Sequence, residues 1–308
     1  MKIKIPNHIL NSPNRTKIDF FGIGAAKCGS TWLAQCLDEH PQITIAKGKE
    51  PNFFVRNLTV FDKAKHENFL KSWDWYNSFF NHAPHGNKTG DFSIHLLHNI
   101  PEAPELIKYF YPDAKFIVIF RDPVKKTYSN YWFEREYNKV EGVPSSFEEA
   151  VKNPELLYRS KYYAQLSQWL RIFPLKQFFI VLDIDMRENP ENLMESLFDF
   201  LEVDKHFKPP SLYRRINESS KVKWPRLLGL EVARILRHNN LDCIVDCLNR
   251  LGVREVVNKI SIKKFEYPPI NPETEQYLRK YFLSDIEQLE KLINRDLTPW
   301  KTTNIKGT

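Results

Sequence analysis

Lysine, serine and threonine gathered around glycine can hold an anion, and this chain gathers them in Gly22-Ile23-Gly24-Ala25-Ala26-Lys27-Cys28-Gly29-Ser30-Thr31-Trp32. A short apolar run from Ile18 to Ile23 leads into the segment, and a helical pattern from Ser30 to Leu37, ended by His40-Pro41, follows it. At such a strand-to-helix turn, exposed backbone N–H groups and the positive end of the helix dipole favour an anion. Lys27 adds a point charge, and Ser30 and Thr31 add hydroxyl donors. A Walker A loop places its Lys directly after the last Gly, whereas Lys27 precedes Gly29, so the spacing of an ordinary NTPase is not met. A second basic and hydroxyl pair, Arg121 in Arg121-Asp122-Pro123 and Ser129 eight positions on, follows the apolar run Lys115-Phe-Ile-Val-Ile-Phe120. A ligand with two separate anionic groups would need two such sites.

Rigid elements must stand behind both loops. The run Lys115 to Phe120 is of the kind found in strands buried on both faces, and a helical segment continues from Pro123 to about Tyr137. Phe178-Phe-Ile-Val-Leu182 is a further run, and Asn189-Pro190 opens a helix from Glu191 to Leu201, with Pro in the first turn. Strands alternating with helices predict an α/β, three-layer P-loop-like fold with a central parallel sheet flanked by helices. Residues 1–16 read as a flexible N-terminal arm and 17–308 as a single domain, with a helical insertion or lid at about 222–264 and a final amphipathic helix from Glu273 to Leu292.

Composition bounds the classes of function. The chain has 308 residues, 42% hydrophobic and 27% charged, which excludes a disordered, collagen-like or coiled-coil protein. Lys+Arg 45 against Asp+Glu 38 gives a net charge of +7, which favours an anionic ligand without requiring nucleic acid. Cys28, Cys36, Cys243 and Cys247 form no C-x-x-C metal pair and are too sparse for a disulfide scaffold. The N-terminal residues carry no apolar signal region, and no stretch approaches the ~18 apolar residues of a membrane span, so a cytoplasmic protein without an anchor is expected.

Together the two anion loops resemble the sulfotransferase family that uses 3′-phosphoadenosine 5′-phosphosulfate. There a loop of the form K-x-G-[ST]-T binds the 5′-phosphosulfate and R-[DN]-P-x-x-x-x-x-S binds the 3′-phosphate. The similarity in element order runs from about Ile18 to Trp300, and Ser160-x-Tyr162, Trp169, Asn189-Pro190 and Asn294-Arg-Asp-Leu-x-x-Trp300 look like bacterial members. The resemblance implies that Lys27, Cys28, Gly29, Ser30 and Thr31 line the 5′ site, that Trp32 stacks against adenine, and that Arg121 and Ser129 hold the 3′-phosphate. It also places Ser220, Lys221 and Arg226 in a loop closing over that phosphate. The co-substrate would be 3′-phosphoadenosine 5′-phosphosulfate, the product adenosine 3′,5′-bisphosphate, and no metal is implied.

On the acceptor side, Lys49-Glu50-Pro51-Asn52-Phe53-Phe54 resembles the K-E-x-H-F-F segment of the heparan-type branch, in which the Glu is the base. Glu50 is thus the expected base, with Asn52 standing where that branch has His; His95 and His98 are the substitutes, since another branch uses a His. Asn87-Lys88-Thr89-Gly90-Asp91-Phe92 resembles the segment E-K-[ST]-P-x-Y, which would bring Lys88 to the transferring sulfuryl group. The function so implied is transfer of a sulfuryl group to a hydroxyl or amine, with a carbohydrate acceptor. Two rivals remain: a P-loop nucleotide-dependent kinase, or a noncatalytic RNA- or membrane-binding protein using the basic region Trp224 to Lys264. Neither acceptor identity nor oligomeric state is legible.

Overall fold

The computed structural model describes residues 5–10, 14–58, 66–138, 140–214, 220–222, 262–264 and 267–302. Five strands, β1 (Phe20–Gly24), β2 (Ile43–Ile45), β3 (Lys88–Asp91), β4 (Lys115–Phe120) and β5 (Phe178–Leu182), form one sheet in the order β2-β3-β1-β4-β5. Every neighbouring pair is parallel, with Phe20 beside Gly90 on one side and beside Lys115 on the other. The expected three-layer α/β architecture is therefore present. The principal helices are α1 (Ser30–Asp38), α2 (Glu102–Phe110), α3 (Pro123–Trp132), α4 (Tyr162–Leu170), α5 (Pro190–Leu201) and α6 (Pro272–Ile293).

Alternation along the strands assigns the layers. Phe21 and Phe116 stack on one face, where Trp169 of α4 and Phe173 pack against Phe116. Phe179 points the other way and meets Phe200 of α5, while His40, just past α1, packs against Phe198. Burial of these aromatics removes ~150–250 Å² of surface each and supplies much of the core. Gly22 in β1 lies under the Phe92 ring, so close that a Cβ would fall 2.5 Å from it. Only glycine lets that ring cover the strand.

The N-terminal arm departs from expectation. Asn7–Leu10 is a helical turn, Ile9 is fully buried, and its carbonyl accepts the Trp73 indole N–H at 2.8 Å. The Arg15 guanidinium lies 5.9 and 5.3 Å from the Trp73 and Phe110 ring centres, and Thr16 N–H donates to Asn77 Oδ1. An apolar anchor and cation–π contacts offset the entropy that a polar arm would otherwise keep.

The chain divides into two compact units, one of residues 1–131, 141–216 and 270–308, the other of residues 132–140 and 217–269. The second unit overlaps in sequence with the range 222–264 and also takes in residues 132–140. Within it, Ser220–Val222 (β6) pairs antiparallel with Ile262–Lys264 (β7), and the Trp132 ring stacks on Tyr267. The helical character expected between these strands, and Arg226, lie outside the described residues.

Candidate active site

β1 leads through α1 to β2 on one side of the sheet, while β4, its other neighbour, leads to β5. Connections thus diverge at the carboxyl ends of β1 and β4, which opens a crevice where parallel α/β sheets bind ligands. Both expected anion loops sit there. Ala25 N–H donates to Ile119 O at 2.9 Å, which ties the first loop to β4, and Arg121 Nη1 donates to Lys27 O at 3.3 Å, which ties the second loop to the first. Lys27 has φ 66° and Gly29 φ 99°. Gly29 caps α1 without any side-chain bond, so no side chain competes for the first N–H groups of that helix. A Cβ there would meet only the movable Met186 Cε at 2.7 Å, so it is the left-handed backbone that calls for glycine.

Ser30 and Thr31 hydroxyls face the loop that follows β2. Lys49 Nζ donates to Ser30 Oγ at 3.2 Å and Thr31 Oγ1 at 3.5 Å, and pairs with Glu50 Oε1 at 2.9 Å. The segment holds two left-handed residues, Lys49 (φ 75°) and Asn52 (φ 56°), in a turn that places Glu50 next to the phosphate loop. A buried relay supports it. Asn52 N–H donates to Ser93 Oγ at 2.9 Å, Ser93 donates to Asp91 Oδ1 at 2.5 Å, and Tyr76 Oη donates to Asp91 Oδ2 at 2.8 Å. Burial pushes the Asp91 carboxyl up to about 6, against the lowering effect of the Ser93 and Tyr76 hydroxyls. Asn52 Oδ1, at the position where the resembling segment has His, is buried without a hydrogen-bond partner among the described residues.

Arg121 is about one-third exposed, and its Nε lies 3.9 Å from Asp183 Oδ2, which also takes Arg187 at 3.4 Å. Ser129 is buried within α3. Asp122 has a structural part: its Oδ1 accepts Val124 and Lys125 N–H at the start of α3, and its Oδ2 pairs with Arg279 Nη1 at 2.8 Å. Cys28 is buried beside Tyr162 Oη, and desolvation pushes its thiol up to about 11, so it lines the loop as a neutral group and not as a nucleophile.

The expectations for four residues change. Trp32 is buried and its indole N–H faces the carbonyls of Ser211 and Leu212 at 3.2 Å, so it packs in the core instead of presenting a face to adenine. His95 is depressed to about 3, by burial first and then by Arg159, Lys126 and Lys49, which makes it a poor proton acceptor near neutrality. His98 is also held well below the usual imidazole range, by burial first and then by Arg159, His95 and Lys126.

Lys88 is the largest correction. It starts β3 opposite Ile43, at the amino edge of the sheet, and pairs with Glu202 Oε2 at 3.2 Å beside Lys115. With about 3.3 Å of rise per strand residue, that edge lies roughly 20 Å from the loop beyond β1. At the carboxyl end of β3 the chain instead has Asp91-Phe92-Ser93, which meets the acidic and hydroxyl positions of E-K-[ST] with an aromatic ring where the Lys stands. Lys88→Ala is expected to leave kcat and KM within about twofold and to cost under about 1 kcal/mol, the scale of an exposed ion pair. Steady-state kinetics beside a urea melt checks this, and a tenfold loss of turnover would return Lys88 to the site.

Ser220 and Lys221 lie on β6 of the second unit. Lys49 is the residue that sequence reasoning passed over: it stands in the quoted Lys49-Glu50 pair, and adjacency to the expected base at the end of β2 was the available signal.

Two tethered loops at the carboxyl ends of neighbouring parallel strands define an α/β protein with a crevice at the point where its strand connections diverge. More narrowly, residues 17–221 match the sulfotransferase domain, and the chain belongs to that family. It is 25% identical over 292 residues to mouse bifunctional heparan sulfate N-deacetylase/N-sulfotransferase 3, covering 90% of this chain and 30% of that protein. It is 30% identical over 202 residues to human heparan sulfate glucosamine 3-O-sulfotransferase 6, covering 60% of this chain and 54% of that protein. The chain thus spans about a third to a half of these relatives. Its fold is shared with a sulfotransferase from Alicyclobacillus acidocaldarius, at TM-score 0.63 and 22% identity over 93% of this chain and 100% of the other.

Proposed function

We propose that the protein transfers a sulfuryl group from 3′-phosphoadenosine 5′-phosphosulfate to a hydroxyl or amine of a carbohydrate. The observation that carries this assignment is the meeting of Lys49, Glu50, Ser30 and Thr31 within 3.5 Å at the mouth of the phosphate loop. Lys27, Gly29, Ser30 and Thr31 hold the 5′-phosphosulfate, and Arg121 with Ser129 holds the 3′-phosphate. Glu50 takes the proton of the attacking group as its oxygen or nitrogen bonds to sulfur. The S–O bond to the 5′-phosphate breaks, and its electron pair stays on the departing adenosine 3′,5′-bisphosphate. Fixed cations and N–H dipoles stabilise that charge without reorganisation. The heparan sulfate relatives support a glycan acceptor. Among the described residues no helix is long and apolar enough to cross a membrane, and Cys28 and Cys36 are buried free thiols, which suits a cytoplasmic setting.

Calorimetry with adenosine 3′,5′-bisphosphate and with ATP·Mg²⁺ tests the donor, and a labelled-donor screen over glycans, lipids and small alcohols tests the acceptor. Binding of the bisphosphate together with label on a glycan is expected. Binding of ATP·Mg²⁺ alone would make the protein a kinase, and label on lipids or alcohols only would overturn the carbohydrate assignment.

A further inference from the structure

We infer that Lys49 is the cation that grips the sulfuryl group in flight, in place of the lysine that the chain lacks at Phe92. This deepens the sulfotransferase assignment and rests on it. The ammonium of Lys49 touches the two loop hydroxyls and the Glu50 carboxylate at once, so Ser30 Oγ and Glu50 Oε1 stand no more than about 6 Å apart across it. An in-line transfer has its leaving oxygen at the phosphate loop and its attacking oxygen at the base, on opposite sides of sulfur. Any group passing between those two points passes against Lys49 Nζ.

The conformation of the residue fits such a task. Lys49 adopts φ 75°, a region costly for a side chain with a Cβ, and its N–H is held by Ala46 O at 2.7 Å. Its side chain is 20% exposed, so the ammonium works in a largely desolvated place where its field on developing charge is strong. Lys88 is ruled out of this role by its place at the far edge of the sheet, and Phe92 carries no charge.

The prediction separates binding of the two nucleotides. Lys49→Met is expected to bind adenosine 3′,5′-bisphosphate within about threefold of the parent, because the 5′-phosphate is held by the loop. Its kcat should fall by about 10²- to 10³-fold, the loss seen when one preorganised donor is removed, with the acceptor KM little changed. In calorimetry without acceptor, the variant should also lose any advantage that the phosphosulfate donor has over the bisphosphate. Lys49→Cys, alkylated with 2-bromoethylamine to restore an ammonium on a side chain with sulfur in place of the γ-methylene, should recover turnover, with the alkylated parent as control. Turnover within threefold of the parent, an equal loss of both nucleotides, or no recovery on alkylation of a variant that still binds the bisphosphate would each overturn the role of Lys49. A parent protein that binds no bisphosphate would instead sink the sulfotransferase assignment itself.

Discussion

Replacing Lys27 by alanine should cut transfer by about 10²- to 10³-fold in a protein that still folds. Lys27 lies in the loop between β1 and α1, and its carbonyl is fixed by Arg121 at 3.3 Å. Alanine keeps the Cβ, so the cost of the left-handed backbone at φ 66° is the same in both proteins and the comparison isolates the ammonium. Loss of one preorganised charge facing the departing phosphate is worth about 3–4 kcal/mol, or 10²- to 10³-fold in kcat. Single-turnover assays at saturating donor, paired with a thermal melt, measure it. Near-parental turnover in the folded variant would mean that the phosphate loop has been misassigned.

Glu50→Gln is the companion experiment, since glutamine keeps the size and one acceptor oxygen and removes only the basicity. Turnover should drop by about 10²- to 10⁴-fold, the usual contribution of a positioned general base. Affinity for adenosine 3′,5′-bisphosphate should hold, because the carboxylate contacts Lys49 and not the loop backbone. A purely structural Glu50 would show the reverse, with lower stability and unchanged turnover per folded molecule. His95→Ala and His98→Ala complete the set. Parental turnover in Glu50→Gln together with failure of either His variant would move the base to histidine, against the strong depression that burial and Arg159 impose on both rings.

The strands were legible where apolar runs are long. Phe178 to Leu182 and Lys115 to Phe120 declare themselves as β5 and β4 because a strand covered on both faces must be apolar throughout. β3 did not, because its residues Lys88-Thr89-Gly90-Asp91 are polar. Its buried polar groups are satisfied locally: Thr89 N–H donates to Asp19 Oδ2 at 2.9 Å, and Asp91 takes two hydroxyls. A strand held in this way leaves no hydrophobic signature, and without it the register of the lysine segment slipped by four residues, from Phe92 to Lys88. The anion loops were legible because their chemistry is local in sequence. Lys49 was not, because its importance comes from Ser30 and Thr31, nearly twenty positions away.

The pair formed by Asp122 and Arg279 bears on how the protein can be cut. Arg279 of α6 is 5% exposed; it neutralises Asp122 at 2.8 Å, takes Glu275 at 2.9 Å and donates to Trp300 O at 2.9 Å. From the same helix Asp285 accepts the N–H groups of Tyr163 and Ala164 at the start of α4, while Leu278, Phe282, Ile286 and Leu289 are buried. The segment that carries the family match stops at residue 221, fifty residues short of this helix. An expression fragment trimmed to the match would leave a buried carboxylate at the second anion loop without its counter-charge, a loss of about 3–5 kcal/mol before any apolar surface is counted. A fragment that keeps these contacts therefore reaches to Trp300, and the loop near Arg121 is tethered to a residue more than a hundred and fifty positions downstream.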